Sequence, residues 1–342
     1  MLKIGLVGLG FMGRTHFRSY LRLQEAGVPI QLTAICDGDD NKFNGKFAEG
    51  NLEVDHSGAD WSQYNLYSDL ETMLAEEELD VVDITLPTFL HAETVIKALN
   101  KGHHVLCEKP MAMTSEEGQA MIEAARRSGK TLMIAQCLRF WPAYEYLKDT
   151  VASGRYGAVL SASFFRGGNP PIWTHNNWMV RKEASGGGLL DLHIHDVDLI
   201  NWLFGPPDAV STIARDVLPE SVYDIVSTNY IYPDQKVVNA QMDRTLCGDF
   251  GFKMMYRVNF EGGNLVFENG VLTDNPQAEK GFVPNLPNET GYYREIDYFI
   301  QSILENRPVE RALPEDTLRT LFIAEAERDS AERNGAIIAL AK

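Results

Sequence analysis

Residues 4–13 read I-G-L-V-G-L-G-F-M-G, and the stretch after them, R-T-H-F-R-S-Y-L-R-L-Q-E-A-G to position 27, carries a helical pattern. Ile4 to Val7 is a short apolar run of the kind that forms a buried strand. Gly8 closes it with a tight turn. Gly10 lets the backbone approach a pyrophosphate, and Gly13 lets the helix pack closely on the strand. The free N–H groups and partial positive charge of the helix N-terminus then face the ligand, with Phe11 and Met12 in the turn itself. A G-x-G-x-x-G alone is a weak signal, but here it stands in the strand–turn–helix context that the fingerprint requires. A dinucleotide-binding domain is the expectation. The alternative is a flavodoxin-like or unliganded doubly wound domain with glycine in its turns.

The pattern continues outward from this turn. Ile30 to Cys36 reads as a second strand and ends at Asp37, where a carboxylate can accept hydrogen bonds from an adenosine ribose and repel a 2′-phosphate. Gly38, Asp39 and Asp40 follow, with no cation among them, which favours NAD over NADP. Strands at 79–86, 103–107 and 131–135 alternate with helices near 70–74, 89–101 and 115–128. Such alternation implies right-handed β-α-β units and a parallel sheet covered on both faces. Beyond about residue 140 the rhythm changes. A helix (143–153), a strand (158–166) and an apolar helix (189–204) precede direct succession of strands at 209–217, 222–231, 236–246, 252–258 and 264–268. These predict a largely antiparallel sheet. Residues 269–290 read as loop, and helices near 291–305 and 315–333 finish the chain. The fold class is therefore α/β, with a Rossmann doubly wound domain over 1–136 and a substrate-binding and oligomerisation α+β domain over 137–342. The second sheet is expected to be open-faced, since too few helices follow residue 204 to shield both of its faces.

The chain has 342 residues, 44% of them hydrophobic and 23% charged, ordinary for a folded protein of two domains. Its formal net charge of -17 argues against nucleic acid and anionic membrane as partners. No apolar run is long enough to span a bilayer, and the N-terminus does not read as a signal peptide. Cys36, Cys107, Cys137 and Cys247 are far apart and form no C-x-x-C pair, as expected of reduced thiols in a cytoplasmic protein.

Two further segments carry chemistry. Glu108-Lys109-Pro110 ends the strand at 103–107, and ligands of open α/β sheets bind beyond such carboxyl ends. Lys109 there can stabilise a developing alkoxide, or it can be an ordinary loop lysine. Pro110 is a candidate for a cis bond. Residues 186–205 read G-G-G-L-L-D-L-H-I-H-D-V-D-L-I-N-W-L-F-G. Apolar residues cover most of this helix, so Asp191 and His195, four apart on one face, with Asp198 a turn beyond, should meet a cavity or a polar network. The pair suits proton transfer, and it also suits a structural i,i+4 contact. A metal site is disfavoured, because His193 and His195 point apart round a helix. His91, after Leu86 and Pro87, either lines the cofactor cleft or caps its helix. Trp173, Trp178 and Tyr292 are candidates to stack on a sugar face.

Together G-L-G-F-M-G (8–13), I-T-L-P-T-F-L-H (84–91), G-H-H-V-L-C-E-K-P (102–110), S-G-G-G-L-L-D-L-H-I-H-D (185–196) and the Y-x-x-E helix (Tyr292 to Glu295) resemble the glucose–fructose oxidoreductase / inositol dehydrogenase family, Gfo/Idh/MocA, over nearly the whole chain. The resemblance implies an NAD-dependent oxidoreductase that moves a hydride between a secondary hydroxyl or ketone of a sugar, cyclitol or related polyol and nicotinamide. It maps the family's catalytic lysine, aspartate and histidine onto Lys109, Asp191 and His195. The cofactor set it implies is Gly8, Gly10, Phe11, Met12, Gly13, Asp37, Leu86, Pro87, His91, Glu108 and Lys109. Substrate would meet Lys109, Trp178, Asp191, His195 and Tyr292. Two positions depart from the pattern: His193 stands where the family often has Gly, which would add a side chain near the pocket, and Cys137 where it often has Asn, which would alter a substrate or cofactor contact. A homodimer or homotetramer is implied. The alternatives are a redox-neutral NAD-dependent glycosidase, a non-catalytic NAD-binding sensor, and a metal hydrolase.

Overall fold

The computed structural model describes residues 1–44 and 60–340. In chain order it contains β1 (Leu2–Val7), α1 (Phe11–Glu25), β2 (Ile30–Cys36), β3 (Asn65–Tyr67), α2 (Leu70–Glu76), β4 (Val81–Ile84), α3 (His91–Asn100), β5 (His104–Glu108), α4 (Ser115–Ser128) and β6 (Leu132–Ala135). It continues with α5 (Pro142–Ser153), β7 (Val159–Gly168), α6 (Lys182–Ser185), a π-helical turn at Leu189–His193, and α7 (Ile194–Phe204). Strands β8 (Ala209–Arg215), β9 (Ile225–Ile231), β10 (Val237–Asp243), β11 (Phe252–Phe260), β12 (Gly263–Glu268) and β13 (Val271–Pro276) follow. The last elements are α8 (Gly291–Leu304), α9 (Pro314–Glu332) and β14 (Ile338–Ala339).

The chain divides into two units. The first comprises residues 1–137 with 173–176 and 292–318, and the second comprises 138–172, 177–291 and 319–342. In the first, six strands lie in the order β3-β2-β1-β4-β5-β6, every pair parallel. This is the doubly wound order, with its switch point between β1 and β4, where ligands of such sheets bind beyond the strand ends. β1, β4, β5 and β6 are near-continuous apolar runs because helices bury both faces. Thr114 caps α4 by accepting from the Glu117 N–H, and Gly129 ends it in a left-handed conformation.

The second unit holds eight strands in the order β13-β12-β11-β7-β10-β9-β8-β14. Only β7 and β10 run parallel; the other pairs are antiparallel. Alternation along the strands sends Ala162, Phe164, Val226, Tyr230, Met242 and Tyr256 into the core. The opposite face is open, as expected, but it is not predominantly apolar. Ser163 pairs with Asn239 and with Arg257, and Asn239 with Asn229; Phe165, Met255 and Ile213 stand among them.

Three expectations change. The 269–290 segment is not all loop, because V-L-T-D-N-P forms β13. Its strand character was hidden by Asn and Pro, and the buried Asp274 is satisfied by the Tyr146 hydroxyl at 2.5 Å and the Tyr156 hydroxyl at 2.7 Å. β3 and β14, three and two residues long, are too short for any periodicity to register. The apolar helix expected at 189–204 is also not uniform. Its first five residues wind as a π-helix before α7 begins, a feature frequent at functional sites.

The acidic stripe of that helix is held by three fully buried arginines of the same unit. Arg139 grips Asp198 with two N–H groups at 2.8 and 2.6 Å. Arg166 does the same to Asp196 at 3.1 and 3.2 Å. Arg244 donates to Asp224 at 2.9 Å and lies 3.7 Å from Asp191. Asp198 also accepts from Thr320 at 2.9 Å, which fixes α9 to α7. Removing one partner of such a pair strands a buried charge. We expect Asp198→Ala to cost about 3–5 kcal/mol in urea unfolding; a loss below about 1 kcal/mol would show that solvent or another acid takes over the guanidinium.

Candidate functional site

The glycine turn is built by close contacts within the first unit. Gly8 has φ 99°, and a Cβ on it would stand 2.8 Å from the Thr85 carbonyl oxygen. A Cβ on Gly13 would come within 1.9 Å of the Gly8 carbonyl oxygen. The Thr85 hydroxyl, just past β4, is 2.8 Å from that same oxygen and 3.1 Å from the Val7 carbonyl. Gly10 is different: a Cβ there meets nothing within 4 Å, and its φ of -64° suits any residue. Protein packing gives no reason for glycine at position 10. A ligand backbone passing close to the turn does, and a pyrophosphate on the N-terminus of α1 fits that need. Phe11 and Met12, in the first turn of α1, are half-buried, and the Phe11 ring meets Trp173 edge-on at 6.0 Å.

Asp37 is buried and anchors the same turn. One of its carboxylate oxygens accepts from the Leu9 N–H at 2.6 Å, the other from the Asp39 N–H at 2.9 Å. Lys42 also reaches it, at 2.7 Å. The expectation that no cation stands beside Asp37 is therefore corrected. The 3-10 turn at Asp40–Asn44 brings back a lysine five positions on, which inspection of the next three residues misses.

At the start of α3, after the loop that leaves β4, His91 is 1% exposed. Its Nδ1 lies 2.8 Å from the Pro110 carbonyl and its Nε2 2.8 Å from the Leu86 carbonyl. Burial lowers its pKa against the pull of both carbonyls, so the neutral ring donates to one at a time. His91 thus ties the Leu86-Pro87 segment to the Lys109-Pro110 peptide, which is cis, and presents backbone rather than itself. Lys109 is half-buried beyond β5, and its N–H donates to the side chain of Glu108 at 3.0 Å.

Sequence reading missed a cluster directly beneath. His16, on the inner face of α1, lies between Asp83 of β4 (Nδ1, 2.8 Å) and Glu108 of β5 (Nε2, 3.2 Å). Tyr20 donates to the same Asp83 oxygen at 2.8 Å. Glu295 of α8 completes it: the nearest atoms of His16, Glu108 and Glu295 lie within 4.8 Å of one another, and all three are buried. Both ring nitrogens of His16 already face carboxylates. Burial alone would push the His16 pKa down, but Asp83 and Glu108 outweigh it and hold the pKa well above the usual range. The signal was available: His16 follows Gly13 by three positions on an otherwise apolar helix face.

In the second unit Asp191 sits on the π-helical turn, buried, and His195 lies half-exposed in the first turn of α7. His193 does not add a side chain to a pocket. It is fully buried, 3.3 Å from Glu327 and 3.4 Å from the Thr228 hydroxyl. Cys137 is buried too. Trp178 is half-buried in the second unit and Tyr292 half-buried in the first.

Comparison with known proteins adds the following. Residues 2–136 match the profile described as "Oxidoreductase family, NAD-binding Rossmann fold", and residues 144–266 match "GFO/IDH/MocA C-terminal domain". The levoglucosan dehydrogenase of Pseudarthrobacter phenanthrenivorans is 31% identical over 226 residues, 64% of this chain and 55% of that protein. The 2,7-anhydro-N-acetylneuraminate hydratase of Escherichia coli is 28% identical over 218 residues, 64% of this chain and 54% of that one. The chain thus spans about half the length of the curated relatives it matches. A solved levoglucosan dehydrogenase, in complex with NADH and levoglucosan, superposes with a TM-score of 0.83 over 100% of both chains at 21% identity, a likeness of fold.

The two glycines separate packing from binding. Gly13→Ala is expected to lose more than about 3 kcal/mol of stability, or to fail to fold. Gly10→Ala should stay within about 1 kcal/mol of wild type while binding NADH on the order of tenfold or more weakly by fluorescence titration. Unchanged NADH affinity in Gly10→Ala would remove the pyrophosphate from this turn.

Proposed function

The chain belongs to the Gfo/Idh/MocA family of oxidoreductases, and on that premise we propose that it oxidises a secondary hydroxyl of a sugar, cyclitol or related polyol, with NAD as hydride acceptor. The observation that carries the reading is Gly10, a glycine that only a closely approaching ligand explains, in a turn matched to an NAD-binding Rossmann fold. NAD, when bound, accepts the hydride at its nicotinamide ring. The turn of Gly8, Gly10, Phe11, Met12 and Gly13, with Asp37, Leu86, Pro87, His91, Glu108 and Lys109, binds and orients it.

The chain's own residues do the rest. His195 takes the proton of the substrate hydroxyl, and returns it in the reverse direction. Lys109 holds a positive charge against the oxygen as it becomes an alkoxide and then a carbonyl. Asp191, steadied by Arg244, orients the substrate. Trp178 and Tyr292 offer ring faces to the sugar. Residues 1–136 carry the cofactor role and 137–342 the substrate and oligomerisation roles. Among the described residues no helix is long and apolar enough to cross a membrane, and Cys36, Cys107, Cys137 and Cys247 are all free thiols. The free thiols support a cytoplasmic setting. NAD is favoured over NADP because Asp37 repels a 2′-phosphate, although Lys42 tempers that repulsion.

A panel of polyols and sugars, assayed with NAD and with NADP at the NADH absorbance band, tests the proposal. Net NADH with equimolar ketone is expected, and kcat/KM should be higher with NAD. Turnover without net NADH, the outcome that the hydratase relative suggests, would replace the dehydrogenase reading. Lys109→Ala and His195→Ala should each lower kcat by on the order of 10²-fold or more, with NADH affinity changed little in His195→Ala. In the oxidising direction the wild-type rate should rise with pH through one ionisation as His195 becomes the neutral base, and that rising limb should vanish in His195→Ala. Either variant keeping near-wild-type kcat while losing only cofactor affinity would strip that residue of its role.

The open face of the eight-stranded sheet, mixed rather than apolar, is the surface that pairs copies of the chain in this reading. Light scattering at micromolar concentration should give a dimer or tetramer. A monomer mass near 38.3 kDa would refute this.

A further inference from the structure

The cluster beneath Lys109 is unusual in its charge balance. Three carboxyl groups, Asp83, Glu108 and Glu295, meet one imidazole inside the first unit, and none is more than slightly exposed. Each link but one is explicit. Asp83 accepts from His16 and Tyr20. His16 donates from its other nitrogen to Glu108. The second oxygen of Glu108 accepts from the Lys109 N–H. The chain Asp83–His16–Glu108 therefore ends on the backbone of the residue that the proposed reaction places at the substrate oxygen. Glu295 is the exception: it is fully buried, and neither of its oxygens has a hydrogen-bond partner. One oxygen of Asp83 is likewise unpartnered. A fourth buried charge there would face two carboxylates against a single imidazolium.

We propose that Glu108 is a positioning residue for Lys109, and that the sealed group around it works by keeping Glu295 as a carboxylic acid. With His16 charged and Glu295 neutral, the Glu108 carboxylate is held from one side by an imidazolium and from the other by the Lys109 amide, so the lysine backbone has one setting. Burial first, and then the Glu108 charge, push the Glu295 pKa well above the ordinary carboxylate range, against the smaller pull of His16. The groups facing Glu295 are His16 and Tyr20 from α1, Asp83 from β4 and Glu108 from β5. The idea rests on the role of Lys109 given above, and its test has an arm that does not.

That arm is stability against pH. Folded Glu295 keeps a proton that the unfolded chain releases above about pH 4.3, so rising pH favours unfolding. His16, also raised, is charged in both states below about pH 6.5 and contributes no slope there. His91 and His104, both lowered, pull the other way equally in wild type and variant. Between about pH 5 and 6 the unfolding constant of wild type, divided by that of Glu295→Gln, should rise about tenfold per pH unit. A ratio independent of pH overturns the neutral acid, as does one stoichiometric divalent ion found by elemental analysis.

The second arm is kinetic. At saturating NAD, Glu108→Gln should lower kcat by about 10- to 100-fold through displacement of the lysine, whatever its effect on cofactor affinity. Glu295→Gln, a neutral isostere, should recover most of the turnover that Glu295→Ala loses. Wild-type-like kcat in Glu108→Gln overturns the positioning role. If wild type itself oxidises no polyol, the activity reading has failed, and the pH ratio alone then decides whether the sealed acid exists.

Discussion

One oxygen atom constrains the first unit more than any other. The Gly8 carbonyl stands where a side chain on residue 13 would have to be, and α1 can lie against β1 only because none is there. That approach aims the N-terminus of α1 past the ends of β1 and β4, the switch point of the parallel sheet. It also turns the inner face of α1 toward β4 and β5, which brings His16 to Asp83 and Glu108. Cofactor turn and buried cluster are consequences of the same contact.

Polar groups are buried in both units, but they are satisfied differently. In the second, Asp198 and Asp196 each meet an arginine fork that supplies two donors, and Asp191 lies 3.7 Å from Arg244, so charge is matched by charge. In the first, carboxyl groups outnumber the single imidazole, and the balance is made with protons. Arginine keeps its charge over the ordinary range, whereas in the first unit neighbouring carboxylates raise the pKa of His16 and burial raises that of Glu295.

Much of the architecture could be read from the sequence because it follows from local pattern. The glycine spacing and the alternation of apolar runs with helices specify the doubly wound unit, and the run of strands after residue 208 specifies the second sheet. What escaped depends on chain-distant contact or on very short segments. Lys42 returns to Asp37 by way of a 3-10 turn. Arg139, Arg166 and Arg244 look like surface residues in a linear reading, and only folding brings them under the acidic stripe. His193 looked like an addition to the substrate side, yet the π-helical turn directs it into the core. Lys109, Asp191 and His195 were legible as chemically apt residues, and their roles stay proposals.

The units are not successive stretches of chain, and this bears on how the protein is made. Glu295, which closes the polar cluster of the first unit, is supplied by a segment that leaves the ribosome only after nearly all of the second unit. Until then α1 and the parallel sheet hold His16, Asp83 and Glu108 without the helix that completes the cluster. In the second unit, too, α9 must arrive before Thr320 can reach Asp198. Domains usually fold as units in order of synthesis. Here the nascent chain must hold an incomplete first unit through most of translation, so a truncation near residue 290 would leave both halves unfinished rather than one intact.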